Sequence, residues 1–209
     1  MKKNRKYLIS IIILLFSFSC EIFNDKQNCS NNLIIEKPDD HLISQDELTT
    51  IMFLFDKNNL ESNTLQFYKL QNDELGYHHV RCNQFINGLK VFDSPLIFHF
   101  NNSDTLYRLT GNIIFEINND TIPSMNQEDV INLFINELNK DEECFCNKEE
   151  ISNNCFDLEF GYFNLSFGQS NLSEDYVKAW KVSSQISSHV AYINDETSEI
   201  IYYFNGIIY

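Results

Sequence analysis

The chain is 209 residues long, 43% hydrophobic and 14% aromatic, with 30 acidic against 15 basic residues and a formal net charge of −15. That balance leaves no basic stripe for phosphate and excludes a nucleic-acid partner. Eighteen Phe and 10 Tyr beside only 6 Gly and 3 Pro argue against disorder, and a chain of this size buries roughly 70% of its unfolded surface in one or two domains.

Residues 1–19 read as a leader rather than fold. Lys2, Lys3, Arg5 and Lys6 precede the apolar run Leu8–Phe18, and Ser17 and Ser19 lead into Cys20. The run is shorter than the roughly 20 residues a membrane span needs. A Cys directly after a small residue resembles the bacterial lipoprotein processing site. The resemblance implies export and a lipid anchor on Cys20, whose acyl chains bury methylenes at roughly 0.8 kcal/mol each. The sequence does not choose between inner and outer membrane. Residues 20–43, polar and Asn-rich with Pro38, read as a tether.

Ser44 and Glu47 have capping-box spacing, and Leu48, Ile51, Met52 and Phe55 then recur at helical intervals until Asn58-Asn59. Strands are expected over Leu65–Leu70 and Tyr77–Ile86. Asn87-Gly88 is a strong hairpin signal because both residues accept positive φ, and Leu89–Val91 leads out of it. Pro95 edges the next strand, Leu96–Phe100, and Thr105–Thr110 returns. Ser124 and Gln127 repeat the capping-box spacing before a second helix with Val130, Ile131, Phe134 and Leu138 on one face. Asp141–Asn154 reads as an acidic, cysteine-bearing turn region. Strands follow over Phe156–Phe167, Tyr176–Ser184, Val190–Asn194 and Glu199–Phe204, with Ile200–Phe204 expected at the centre of a sheet. A final apolar run, Ile207–Tyr209, packs in its own domain or adds to a partner's sheet. A helix followed by uninterrupted strands, twice over, predicts an α+β fold with antiparallel sheets.

Gln84, Gly88 and Val91, followed by Gly111-Asn112, match the pattern of the fungalysin/thermolysin propeptide (FTP) domain, which residues 44–122 therefore resemble. Ser124, Trp180-Lys181-Val182 and the run Asn194–Ile200 are similar to the PepSY domain, though Ser198 stands where that hairpin has Gly; this second resemblance covers 123–209. Together they imply two tandem cystatin-like units, each a helix on an antiparallel sheet, of the kind that assists and inhibits a protease. The motif residues read primarily as structural: Gly88 for the turn, Val91 for the core, Gln84 for a hydrogen bond.

No H-E-x-x-H, C-x-x-C, G-x-S-x-G or phosphate-binding glycine loop occurs. His78 and His79 are adjacent, so on a strand they face opposite ways and cannot share an ion; His99 and His189 are distant in sequence. The clusters Asp141–Glu143 and Glu149-Glu150 lack the alternating calcium-loop pattern and read as solvated. Cys144-x-Cys146 with Cys155 could gather thiolates, but in an exported chain disulfides among Cys29, Cys144, Cys146 and Cys155 are the better reading, their pairing open. Cys82, within a strand, reads as a buried free thiol. The expectation is a module without catalytic residues, metal or cofactor, lipid-anchored in the envelope. It would bind an extracytoplasmic protein, a metallopeptidase being the candidate, as an inhibitor or folding modulator acting in trans. The alternative is a structural or cargo-binding envelope lipoprotein with no link to proteolysis.

Overall fold

A computed structural model describes residues 29–144, 146–167 and 175–206. The leader, Cys20 and the run Ile207–Tyr209 lie outside the described residues. Helix α1 (Gln45–Lys57) starts with the anticipated capping box. Ser44 N donates to Glu47 Oε2 at 2.9 Å and Glu47 N to Ser44 Oγ at 3.3 Å, and the Ser44 hydroxyl holds the Glu47 carboxyl below its usual range. The face carrying Ile51, Leu54 and Phe55 packs on strands β2 (Leu65–Asn72), β3 (His78–Ile86) and β5 (Leu96–Phe100), against Phe67, Val80, Cys82, Leu96, Phe98 and Phe100. Phe55 is fully buried and meets the rings of Phe67 and Phe98 at 5.1 and 4.8 Å; truncating such a residue to Ala costs about 3–5 kcal/mol. Strand β6 (Leu106–Thr110) closes this half as an edge beside β5.

The second half repeats the plan. Helix α2 (Gln127–Lys140) lays Val130, Phe134 and Leu138 on β7 (Phe156–Asn164), β8 (Tyr176–Ser184) and β9 (Val190–Asn194), against Phe156, Leu158, Trp180, Val182, Ala191 and Ile193. Its cap is not Ser124. Asn126 occupies the N-cap and accepts from Asp129 N at 3.0 Å, because the Asp195 carboxylate has already engaged the Ser124 amide. The acidic region read as turns contains a short helix, α3 (Lys148–Ser152). Strand β10 (Ile200–Phe204) is an edge, not the central strand expected of it: it pairs with β9 alone among the described residues.

The fold is α+β, with ten mostly antiparallel strands among the described residues. The two halves do not form separate sheets. After the Asn87-Gly88 turn, whose φ values are 52° and 82°, the short β4 (Leu89–Val91) pairs antiparallel with β3 and parallel with β7, at Lys90↔Gly161 and Val91↔Tyr162. One sheet therefore runs β10-β9-β8-β7-β4-β3-β5-β6, with β2 added to β3 and β1 (Asn32–Ile34) to β7. Gly161 makes the junction possible, since a Cβ there would overlap the Lys90 carbonyl and sit 2.8 Å from the Phe92 ring. The described part of the expected tether is packed on the body. From Cys29 on, it is bound to the body by the Cys29–Cys155 disulfide, by β1 alongside β7, and by hydrogen bonds from Leu42 N to Phe67 O and from Gln66 Nε2 to Asp40 O. None of the helices among the described residues is long and apolar enough to cross a membrane.

Candidate functional site

Gln84 projects from the end of β3 towards the core, 2% exposed. A buried amide must find partners or pay for desolvation. Its Nε2 donates to Ser94 O at 3.1 Å and Asn112 O at 2.9 Å, and its Oε1 accepts from Ile114 N at 3.0 Å. The first residue of the family pattern thus clamps the chain on both sides of the β5–β6 hairpin. Gly111 and Asn112 belong to the same clamp. Gly111 has φ 94°, and a Cβ on it would stand 2.5 Å from Pro95 O. Asn87 Nδ2 adds a bond to Ile117 O at 3.0 Å. Val91 is buried with Ile86, Ile114, Ile117 and Tyr162, a third core located where the halves join.

The clamp orders residues 111–126, a connector without regular secondary structure. Beyond Ile117 the second half takes over. Asn119 Nδ2 donates to Tyr176 O at 3.0 Å, and Lys178 Nζ donates to Asp120 Oδ1 at 2.9 Å and Ile122 O at 3.1 Å. Asp195 Oδ1 accepts from Trp180 Nε1 and Met125 N, and its Oδ2 from Ser124 N. Lys178 is 4% exposed, and its hydrogen bond to Asp120 holds the ammonium above its usual range while holding Asp120 below its own. With one side of the connector held inward, the other side is offered outward. Ile113, Phe115 and Ile122 are exposed, Phe115 to 89%. Ile113 and Phe115 line a groove of 340 Å³ together with Leu60, Leu65, Ile86 and Phe98.

A second groove, of 220 Å³, lies where β1, β4 and β7 meet. Lys90 spans it, 2.7 Å from Glu36 Oε2 and 3.2 Å from Glu159 Oε1. Burial alone would push Lys90 down, but Glu159 and then Glu36 outweigh it and hold the ammonium above its usual range.

His78 and His79 have different partners, as opposite-facing neighbours on a strand must. His79 does not share a face with His78 but stands opposite His99 across β3 and β5, with the two Nδ1 atoms 2.8 Å apart. One ring must accept there, so both cannot be protonated at that nitrogen. Burial first, and then the charges of His79, Arg108 and Arg81, hold His99 below its ordinary value. Burial pushes the Cys82 thiol up to about 12, which keeps it protonated and inert.

The other cysteines among the described residues form two pairs, Cys29 with Cys155 and Cys144 with Cys146. Beside the second pair lies a residue that spacing could not connect to it. His189 Nε2 is 3.4 Å from Cys144 Sγ, and His189 Nδ1 is 2.9 Å from Ser187 Oγ. His189 is 4% exposed, and burial lowers its pKa against the pull of Asp141.

Compared with known proteins, residues 63–113 match the Fungalysin/Thermolysin Propeptide Motif. The match covers β2 to the start of the connector and contains Gln84, Gly88, Val91, Gly111 and Asn112. It links this portion of the chain to peptidase propeptides, a non-catalytic role. No curated protein matches the chain.

Proposed function

We propose that this chain is a non-enzymatic binding module, exported and held at a membrane by lipid on Cys20, that engages an extracytoplasmic metallopeptidase in trans as an inhibitor or folding modulator. The observation that carries the reading is the propeptide motif over residues 63–113, assembled as a clamp that presents Ile113 and Phe115 on the surface. We read each half as a cystatin-like unit, the first (44–122) FTP-like and the second (123–209) PepSY-like, fused edge to edge through β4. Exposed aromatic side chains anchor many protein interfaces, and Phe115, 89% exposed, is one.

The test uses the mature chain and a thermolysin-type metallopeptidase, read both as peptide hydrolysis and as the refolding yield of the denatured peptidase. Saturable inhibition or assisted refolding, weakened by Phe115→Ser, supports the proposal. No effect on either readout at roughly 100 µM, where binding stronger than about −5.5 kcal/mol would register, sinks it.

The alternative, a structural or cargo-binding envelope lipoprotein, draws on a different fact. The motif side chains Gln84 and Val91 are buried and occupied within the fold, so the pattern can persist for folding alone.

A further inference from the structure

We propose that Cys144 Sγ, Cys146 Sγ and His189 Nε2 form a binding site for a thiophilic closed-shell cation, Zn2+ or Cu+, available when the two cysteines are reduced. The three ligand atoms lie within 4.8 Å of one another. With metal–sulfur and metal–nitrogen bonds of about 2.3 and 2.0–2.1 Å, the two sulfurs must move apart once their bond is reduced so that one ion can sit between them and His189 Nε2. Two thiolates and an imidazole are a soft set, suited to Zn2+ and Cu+ rather than to Ca2+ or Mg2+.

The surroundings support this chemistry. Cys144 and Cys146 sit on the loop between α2 and α3, and His189 precedes β9, so the fold joins groups 45 residues apart in sequence. Ser187 Oγ lies 2.9 Å from His189 Nδ1. With Nδ1–H donated to that hydroxyl, the ring is fixed and the Nε2 lone pair faces the sulfurs, the arrangement that supports a metal-bound histidine. Two further polar atoms near this cluster are buried without a hydrogen-bond partner among the described residues: Asp141 Oδ2, whose carboxylate acts on His189, and the hydroxyl of Tyr203, whose ring lies 6.3 Å from that of His189. A fourth ligand on Zn2+ would be a water; three-coordinate Cu+ requires none.

The Cys144–Cys146 bond is the oxidised form of the same pair, and it excludes the ion because each sulfur can serve only one role. Reduction by a phosphine consumes one phosphine and one water, and gives two thiols and a phosphine oxide. Each thiol then releases a proton as the ion binds.

The experiment titrates the phosphine-reduced, oxygen-free mature chain with Zn2+ against a chromophoric chelator, and with Cu+ against a Cu+-selective chelator. One ion per chain is expected, with Co2+ substitution giving thiolate-to-metal charge-transfer absorption. Cys144→Ser/Cys146→Ser should abolish binding although Cys29, Cys82 and Cys155 remain as thiols, and His189→Gln should weaken it by about tenfold or more. If His189→Gln does not fold, the 15N shift of His189 Nε2 on adding Zn2+ to the wild-type chain reports the same contact. Whichever ion binds more tightly identifies the occupant. The proposal is overturned if the reduced wild-type chain binds neither ion more tightly than the Cys144→Ser/Cys146→Ser chain, or if the His189 signal does not move. Peptidase binding is read in a separate assay, so either proposal can fail alone.

Discussion

Removing the Gln84 side chain should destabilise both halves of the molecule together. Gln84→Ala deletes hydrogen bonds to Ser94 O, Asn112 O and Ile114 N. Each contributes about 1 kcal/mol net, and the stranded Ile114 amide, within a buried residue, costs a further 1–3 kcal/mol or so. The expected loss is about 4–6 kcal/mol, a large share of the roughly 5–15 kcal/mol that holds a domain together. Gln84→Glu keeps the acceptor for Ile114 N but turns an oxygen towards two carbonyls. It should lose about as much at pH 7 and recover part of that in acid, where a neutral carboxyl can donate to one of them. Urea unfolding would be followed by far-UV circular dichroism and by fluorescence of Trp180, the only tryptophan. Trp180 belongs to the second half, so its transition reports whether damage at Gln84 crosses the junction core of Ile86, Val91, Ile114, Ile117 and Tyr162. Coincident transitions shifted together are expected. A loss under about 1 kcal/mol for Gln84→Ala would refute the clamp, and an unmoved Trp180 transition would refute the coupling.

Two smaller perturbations follow from the backbone and the histidines. Ser198 holds φ 61° in the β9–β10 turn, a region that costs side-chain-bearing residues about 1–2 kcal/mol. Ser198→Gly relieves that, less the entropy of a freer unfolded chain, for a gain of about 0.5 kcal/mol in urea unfolding; a net loss would show that the Ser198 hydroxyl contact to Met125 Sδ at 3.6 Å matters more. The folded pKa of His99 lies below its ordinary value of 6.5, through burial and then the neighbouring His79, Arg108 and Arg81. The unfolded chain therefore takes up the proton first, and stability present above pH 6.5 falls as pH drops through that value towards the lower folded pKa. His189 shifts in the same direction, whereas the lowered carboxylates Asp73 and Asp104 act only below 3.8. Urea midpoints at pH 7.5, 6.5 and 5.5 should decline in the wild-type chain and decline less in His99→Gln; parallel slopes would remove His99 from the account.

What could be read from the sequence was local, and what could not was long-range, for a physical reason. The Ser44–Glu47 box, the Asn87-Gly88 turn and the faces of both helices depend on spacing within one element, and spacing is what a sequence displays. The Ser124–Gln127 spacing failed because a more distant group, Asp195, competed for the Ser124 amide, leaving Asn126 to cap. Alternation gives the face of a strand but not its neighbour. Hence β10 could be taken for a central strand, and the parallel pairings of β1 and β4 with β7 left no signal except Gly161, a small residue in an otherwise bulky strand. The His79–His99 pair and the approach of His189 to Cys144 arise in the same way, from register and loop placement. Gln84 is the instructive intermediate. It falls between Cys82 and Ile86 in the alternation of β3, all three of which are buried, and an amide on a core face requires partners beyond its own strand. That much could be inferred before the fold was known. Only the fold shows that the partners lie in the connector, so that a pattern defined within the first half governs how the second half is attached.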